Sequence, residues 1–452
     1  MGLKNKVKNT VLLLDLYGGR SRPFILPFLY LSTFFNYWEI NCTIFRWHEG
    51  EDGLLLDFIN DEHITHVFIN VIMGSVLALV EPLGKLIKTA YPNIEIWVGG
   101  TAVLYIGELL SASPYIDHVS IGNPRANFSA FVNELATKGF VFSEPKHPLS
   151  YPPLAVNRHL DVFVHKHAAG SGTIEAINIA SSSGCHHRCS FCYLARATRW
   201  CQSPKELVAD MTMLQEKHNV CYFEFSDDNF PSDFDRVKEI IRRVKDAKLD
   251  FSFFCLASID VLSRGTLDTM VAGGLKKLFI GVDALQSDRI KQLNKNYGPD
   301  SVYQVIDIVR QYPIDLTLAV VLGSYGETRD QIQALYDWVN LIKPEICSFA
   351  FLTPYPHTNI YKQSIRRGFV PPNTLAGWAE ISKFGNPKLL NPLIDVNEYL
   401  EWKQRFLDLG TREFRSGIGD SIRRVPKQKV IELPIGIGRY TNTYADPYQL
   451  KR

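Results

Sequence analysis

Three of the chain's eight cysteines sit in one short run, CHHRCSFC, which places Cys185, Cys189 and Cys192 with three and then two residues between them. Three thiolates at that spacing can converge on one side of an irregular loop. They can then ligate three irons of a four-iron, four-sulfur cluster and leave the fourth iron open to an exogenous ligand. A structural zinc ion is the competing occupant, held by the same sulfurs and by His186 or His187. Zinc ligands more often come as two separated pairs, and the sequence offers no second pair. Cys221, Cys255 and Cys347 lie inside apolar runs and read as core residues.

Regular elements must hold such a turn in place. From Thr10 to about Lys138, VLLLDL, CTIFRW, HVFINV, IEIWVGG and DHVSIG read as five strands with helical patterns between them. This alternation predicts an α/β architecture, with a doubly wound, Rossmann-like parallel sheet over residues 1–140. The Pro-rich segment 141–173 reads as a linker. Over 174–365 a second series follows: IEAINIAS, CYFEFS, FSFFCLAS, KKLFIGVDA, LTLAVVLG and EICSFAFL, again with helical segments between. Six β/α units predict a partial, TIM-like (β/α)6 barrel whose working face lies at the strand C-termini, and the cysteine turn follows its first strand. Residues 366–452 fit neither series and read as a small C-terminal extension.

Composition narrows the classes. Forty-nine Lys and Arg against forty-seven Asp and Glu give a net charge of +2, so no large basic field calls for nucleic acid or an anionic membrane. Residues 411–452 hold nine Lys and Arg against four acids, an excess that reads as a solvated tail. The N-terminus lacks the grammar of a signal peptide, and no apolar stretch reaches the roughly 18–20 residues needed to span a bilayer. A soluble, cytoplasmic protein is expected, in a compartment where clustered cysteines bind metal more often than they form disulfides.

CHHRCSFC, with an aromatic before its third cysteine, resembles the signature of the radical S-adenosylmethionine (SAM) enzymes. The resemblance implies a [4Fe-4S] cluster on Cys185, Cys189 and Cys192 whose open iron chelates SAM. An external one-electron reductant of flavodoxin or ferredoxin type would drive SAM cleavage to a 5′-deoxyadenosyl radical. Phe191 is expected near the adenine, with Tyr193 beside it. Further stretches resemble the subgroup that carries an N-terminal cobalamin-binding domain. FSDDNF (225–230), the Arg-rich run into a helix start at Ser203-Pro204, GGLKKLFIGVDALQSDRIKQLNK, LGSYGET and TPYPHT all have counterparts there. On this basis Asp227, Asp228, Gly281, Asp283 and Gly323 are candidate SAM contacts. Read alone, Asp227 and Asp228 could instead cap the next helix, and the two glycines could mark only close backbone approach. Tyr325, Tyr355 and His357 are candidate catalytic residues; Tyr325 stands where the subgroup has Pro and His357 where it has Gly. Read alone, a histidine such as His357 is more often structural than functional, although its loop belongs to the open face, where it could reach substrate.

The N-terminal series carries a fainter resemblance to cobalamin modules. DLYGGR (15–20) occupies the Asp-x-His-x-x-Gly position, with Tyr17 in place of the cobalt-ligating His. SVL (75–77) and VGGT (98–101) match Ser-x-Leu and Gly-Gly. Tyr17, Gly18, Arg20, Ser75, Leu77, Gly99, Gly100 and Thr101 are therefore candidate cobalamin contacts, and all lie at strand C-termini, where doubly wound sheets bind ligands. A phenol is a poor cobalt ligand, so base-off cobalamin without a histidine ligand is expected. The turn SIGNPRANFSAF departs from the subgroup and leaves room for a domain that keeps its shape without binding the cofactor.

The activity implied is a cobalamin-dependent radical SAM C-methyltransferase acting on an unactivated carbon of a small molecule. A non-methylating enzyme with the same layout, catalysing cyclisation, ring contraction or rearrangement, is the alternative. A cluster or cobalamin sensor, or a zinc-stabilised interaction protein, is a third class, but no helix-turn-helix, basic groove or coiled coil serves it. The aromatic C-terminal stretches WAEISKFG, EYLEWKQRF and GRYTNTYADPY would pack against the barrel or wall off its mouth.

Overall fold

A computed structural model of the chain describes residues 9–16, 25–120, 125, 128–140, 151–170, 172–192, 194, 199–384, 391 and 393–421. It divides into two compact units. The first comprises residues up to 164 together with 372–379, and the second 165–371 together with 380–421.

The first unit is built on five strands, β1 (Thr10–Asp15), β2 (Asn41–Arg46), β3 (His66–Asn70), β4 (Glu95–Gly99) and β5 (His118–Val119), in the order β2-β1-β3-β4-β5. All its pairings are parallel. Every residue of β1 is buried. That explains why VLLLD is a continuous apolar run instead of an alternating one, since a central parallel strand is covered on both faces. The helix Leu26–Tyr37 buries Phe28, Leu29, Phe34 and Phe35, and Phe35 meets Phe68 of β3 edge-on at 5.2 Å. Phe68 in turn stacks on Trp97 of β4, also at 5.2 Å. Strand order reverses between β1 and β3, so the loops after these strands flank the place where such sheets receive ligands.

The second unit contains an eight-stranded sheet. Its strands are β6 (Val164–Ala169), β7 (Gly172–Ile179), β10 (Val220–Phe225), β11 (Ser252–Ala257), β12 (Leu275–Gly281), β13 (Asp315–Leu322), β14 (Ile346–Phe351) and β15 (Ile418–Ser421). The short strands β8 (Ser182–Ser183) and β9 (Trp200–Cys201) pair separately as an antiparallel ladder across the cysteine turn. The six expected parallel strands run β7-β10-β11-β12-β13-β14. Beyond β7 lie β6 and β15, two strands the sequence pattern did not announce. VHKHAA is too polar to read as a strand, yet it lies within the stretch expected to be a linker and pairs with β15 in antiparallel fashion. Upstream in that stretch, buried Asn157 donates through Nδ2 to Leu29 O, Ser32 Oγ and Thr33 Oγ1, which ties the Pro-rich segment to the helix Leu26–Tyr37.

Local signals worked where side chain meets backbone. Ser203 caps the helix Pro204–His218, receiving the Glu206 N–H while the Glu206 carboxylate accepts from the Ser203 N–H. The aromatic stretch EYLEWKQRF forms the helix Val396–Leu407, and it packs. Tyr399 meets Phe351 at 6.1 Å, Phe406 meets Phe349 at 6.1 Å, and Trp402 meets Tyr336 at 5.7 Å. Trp378 of WAEISKFG is buried as well, while GRYTNTYADPY lies outside the described residues. Among the described residues no helix is long and apolar enough to cross a membrane.

Candidate active site

The cysteine turn leaves β7, passes through the β8–β9 ladder and is pinned at several points. Ser190 N–H donates to Leu293 O (2.9 Å), Ile360 N–H donates to Ser190 O (3.0 Å), and Asn294 Nδ2 donates to Arg188 O (2.6 Å). These bonds join the turn to the loops after β12 and β14, so three strand ends position one loop. Gly184, with φ of +85°, sits where a Cβ would come within 2.9 Å of Arg199 Cγ; the tight entry to Cys185 requires it.

All three cysteines are free and half-buried. Burial raises each thiol, Cys192 to about 11, which disfavours thiolates standing alone and leaves them suited to a cationic metal centre. The two adjacent histidines are placed differently. His187 has both ring nitrogens engaged, Nδ1 with Asn296 Nδ2 at 2.8 Å and Nε2 with Ser258 Oγ at 3.2 Å and Asp260 Oδ1 at 3.4 Å. Nδ1 of His186 is engaged by the Arg199 guanidinium at 2.8 Å. A Cys3His zinc site would need one of these rings turned inward. Three sulfurs without a histidine fit a cluster with one open iron better than a closed zinc tetrahedron.

The two aspartates of FSDDNF separate sharply. Asp227 is fully buried; its carboxylate accepts the Ser181 N–H and Oγ–H, each at 2.6 Å, and the Ser182 Oγ–H at 2.5 Å. It is therefore committed to holding the strand ends of β7 and β10. Asp228 accepts one bond, from the Gly184 N–H at 2.7 Å, and is partly exposed beside the cysteines. Burial raises both carboxyls. Neither caps the next helix, because Asp233 accepts the Arg236 N–H at 3.0 Å and does so instead.

Across the turn, Lys295 pairs with buried Asp283 at the end of β12 and lies 5.1 Å over the Phe191 ring. Although burial opposes it, the Asp283 carboxylate keeps the Lys295 ammonium firmly protonated. Phe191 packs against Ala284, Ile290, Leu293, Leu352 and Ile360. Gly281 has open space where a Cβ would stand. The sequence pattern did not single out Ser181, Ser182, Lys295 or Asn296. Their only signal is proximity to the motif residues, and that appears once the strand ends are brought together.

The candidate catalytic loops also lie at strand C-termini. Gly323, with φ of +99°, donates its N–H to Glu327 Oε2 at 2.8 Å. Arg289 clamps the same turn by donating to Tyr325 O and Gly326 O. The exposed Tyr325 ring lies under the Arg367 guanidinium at 3.6 Å. Tyr355 is partly buried, which raises its phenol. His357 is exposed and left-handed, with φ of +69°. That conformation explains why a glycine suits this place in related turns, and it leaves the imidazole facing solvent.

In the first unit, the candidate residues that are described gather after β3 and β4. Ser75 is exposed, and Gly74 and Gly99 have room for an approaching ligand. Gly100 is different, since with φ of +103° its Cβ would fall 2.5 Å from Val71 O, so the fold itself demands the glycine. Leu77 is buried at the start of the helix Leu77–Ala90. Thr101 is partly exposed. Asp15, at the head of DLYGGR, is buried against the Arg46 guanidinium, with bonds of 2.8 and 2.6 Å. Tyr17, Gly18, Arg20 and Tyr193 lie outside the described residues.

Residues 179–339 match the Radical SAM superfamily. An uncharacterized methyltransferase of Pyrococcus horikoshii is 22% identical over 303 residues, 63% of this chain and 66% of that protein. The anaerobic magnesium-protoporphyrin IX monomethyl ester cyclase of Synechocystis is 23% identical over 297 residues, 61% of this chain and 59% of that one. The matched stretch thus spans less than two thirds of either relative. Among solved structures, the radical SAM methyltransferase TsrM of Kitasatospora setae, with cobalamin and a [4Fe-4S] cluster bound, superposes with a TM-score of 0.61 at 14% identity. It covers 80% of this chain and 76% of that one, so the two-part α/β fold is common to both. Residues 179–339 of this chain thus carry a radical SAM domain.

Proposed function

We propose that this protein is a cobalamin-dependent radical SAM C-methyltransferase acting on a small molecule. The observation that carries the reading is the turn of Cys185, Cys189 and Cys192, whose neighbouring histidines are engaged elsewhere, combined with a doubly wound unit that is open over Gly74 and Gly99. When bound, a [4Fe-4S] cluster with SAM supplies a hydrogen-abstracting radical and cobalamin supplies a methyl group. The three cysteines would hold the cluster. Asp228, with its single backbone bond, would receive the cationic amino group or ribose hydroxyls of SAM, and Phe191 would border the adenine. Asp227 fixes the loop that presents Asp228, acting as a positioning residue. Ser75, Gly99 and Thr101 would border the cobalamin. With a tyrosine at position 17, the cobalt would be base-off and without a histidine ligand. A flavodoxin- or ferredoxin-type donor would supply the electron.

One relative is named a cyclase, which keeps ring formation as the second reading. The two separate with SAM carrying a deuterated methyl group. Anaerobically reconstituted protein, reductant and candidate substrates should release 5′-deoxyadenosine and S-adenosylhomocysteine and give a product carrying the label. Release of 5′-deoxyadenosine with an unlabelled product and no S-adenosylhomocysteine would contradict methyl transfer and favour the second reading.

A further inference from the structure

The second unit holds a cluster of metal-ligating side chains away from the cysteine turn. His165 and His167 lie two residues apart on β6, so the strand period puts both on one face. Glu224 comes from β10, two strands away across β7. His165 Nε2 stands 2.9 Å from Glu224 Oε2, and His167 Nε2 stands 3.2 Å from Glu224 Oε1. One ligand atom from each of the three lies within 4.8 Å of the other two.

The surroundings are selective. Phe223 and Phe225 flank Glu224 in sequence and point to the opposite, fully buried face of β10, where Phe225 stacks on Phe230. On the Glu224 face, the His167 ring rests 5.0 Å from that of Tyr222. Tyr222 packs with Ala176, Ile418, Ile174 and Phe254. The triad therefore has an apolar floor, with its side chains 4–19% exposed.

We infer that His165, His167 and Glu224 form a binding site for a divalent transition-metal ion, distinct from the iron–sulfur turn. Two imidazoles and a carboxylate suit zinc or ferrous iron and leave coordination positions for water or an oxygen-bearing ligand. Tetrahedral metal–ligand bonds of about 2.05 Å place neighbouring ligand atoms about 3.3 Å apart, near the 3.2 Å spacing and a little beyond the 2.9 Å one. Strand β6 lies in a stretch whose sequence reads as a linker. Its HKH run gains a use once the strand is docked beside β7.

The same spacing also serves a hydrogen-bonded triad, and a metal count decides between the two. The full-length protein, reconstituted anaerobically with its cluster, would be washed with chelator, titrated with Zn2+, desalted and analysed for zinc and iron. The expected result is one zinc per chain beyond an unchanged iron content. Retention should fall at least tenfold in His167→Ala and in the near-isosteric Glu224→Gln, each checked by its melting midpoint and iron content. Wild-type protein that retains no zinc, or variants that retain as much as wild type, would overturn the assignment.

Discussion

The two halves of this molecule present their candidate sites in different materials. In the second unit the site is made of side chains: three thiols, two aspartates with divided labour, and a Lys295–Asp283 pair beside Phe191. In the first unit it is made largely of their absence, with small residues at the ends of β3 and β4 leaving room for something to approach. A cluster must be covalently ligated, whereas a nucleotide-tailed cofactor is held mostly by shape and backbone. The first kind of site is therefore written in residue types and the second in conformations.

The largest effect that would test this contrast comes from the thiols. Cys189→Ala should abolish 5′-deoxyadenosine formation and lower the iron content while leaving retention of added corrinoid unchanged. A variant that still cleaves SAM would break the account of the second unit.

A pH effect of about 3 kcal/mol is expected next, from Glu327. Its carboxyl is pushed up to about 7, foremost by burial, although the Gly323 N–H and the Tyr399 hydroxyl favour the carboxylate. A folded value above the unfolded one means the native state binds the extra proton. The stabilisation is thus complete below about pH 4.5 and is lost as pH rises through about 7. Denaturant titrations between pH 5 and 8 should show that slope in wild type and a flatter profile in Glu327→Gln. Equal slopes would place the ionisation elsewhere.

Adjacent glycines in the first unit should behave oppositely. Gly100→Ala forces a Cβ to within 2.5 Å of Val71 O at a positive φ, and should cost about 2–3 kcal/mol of stability. Gly99→Ala places its Cβ 3.9 Å from Ser120 O, an ordinary contact, so it should fold normally and weaken corrinoid retention alone. Thermal melts and a corrinoid count separate the two, and full retention by Gly99→Ala would remove that residue from the site.

The smallest effect is expected at His357. Replacing this left-handed residue with Gly relieves strain and should leave stability within about 1 kcal/mol of wild type. SAM cleavage should persist while formation of methylated product falls several-fold. Unchanged product formation would reduce the imidazole to a turn residue.

Much of this is legible in the sequence. The eleven main parallel strands follow from apolar runs at β/α spacing, and the cysteine turn from three residues that composition alone would not bring together. Strand β6 was not legible, because His165, Lys166 and His167 give it no apolar face, and its partners β7 and β15 lie on either side of some 240 residues of chain. Nor could FSDDNF say which aspartate is consumed, since the hydroxyls that fill Asp227 lie 45 and 46 residues earlier. Glu327 had no visible partner either; Tyr399 stands 72 residues away and meets it only when the helix Val396–Leu407 docks. Local chemistry reads from sequence, whereas the pairing of buried polar groups waits for topology.

The claim that joins the two units is that one chain holds a cluster and a corrinoid together. Protein reconstituted without oxygen, incubated with hydroxocobalamin and desalted should show the broad absorption of the cluster and a corrinoid band shifted toward the base-off form, at close to one cobalt per chain. A full cluster spectrum with no retained cobalt would contradict the account and leave the first unit a fold without its cofactor.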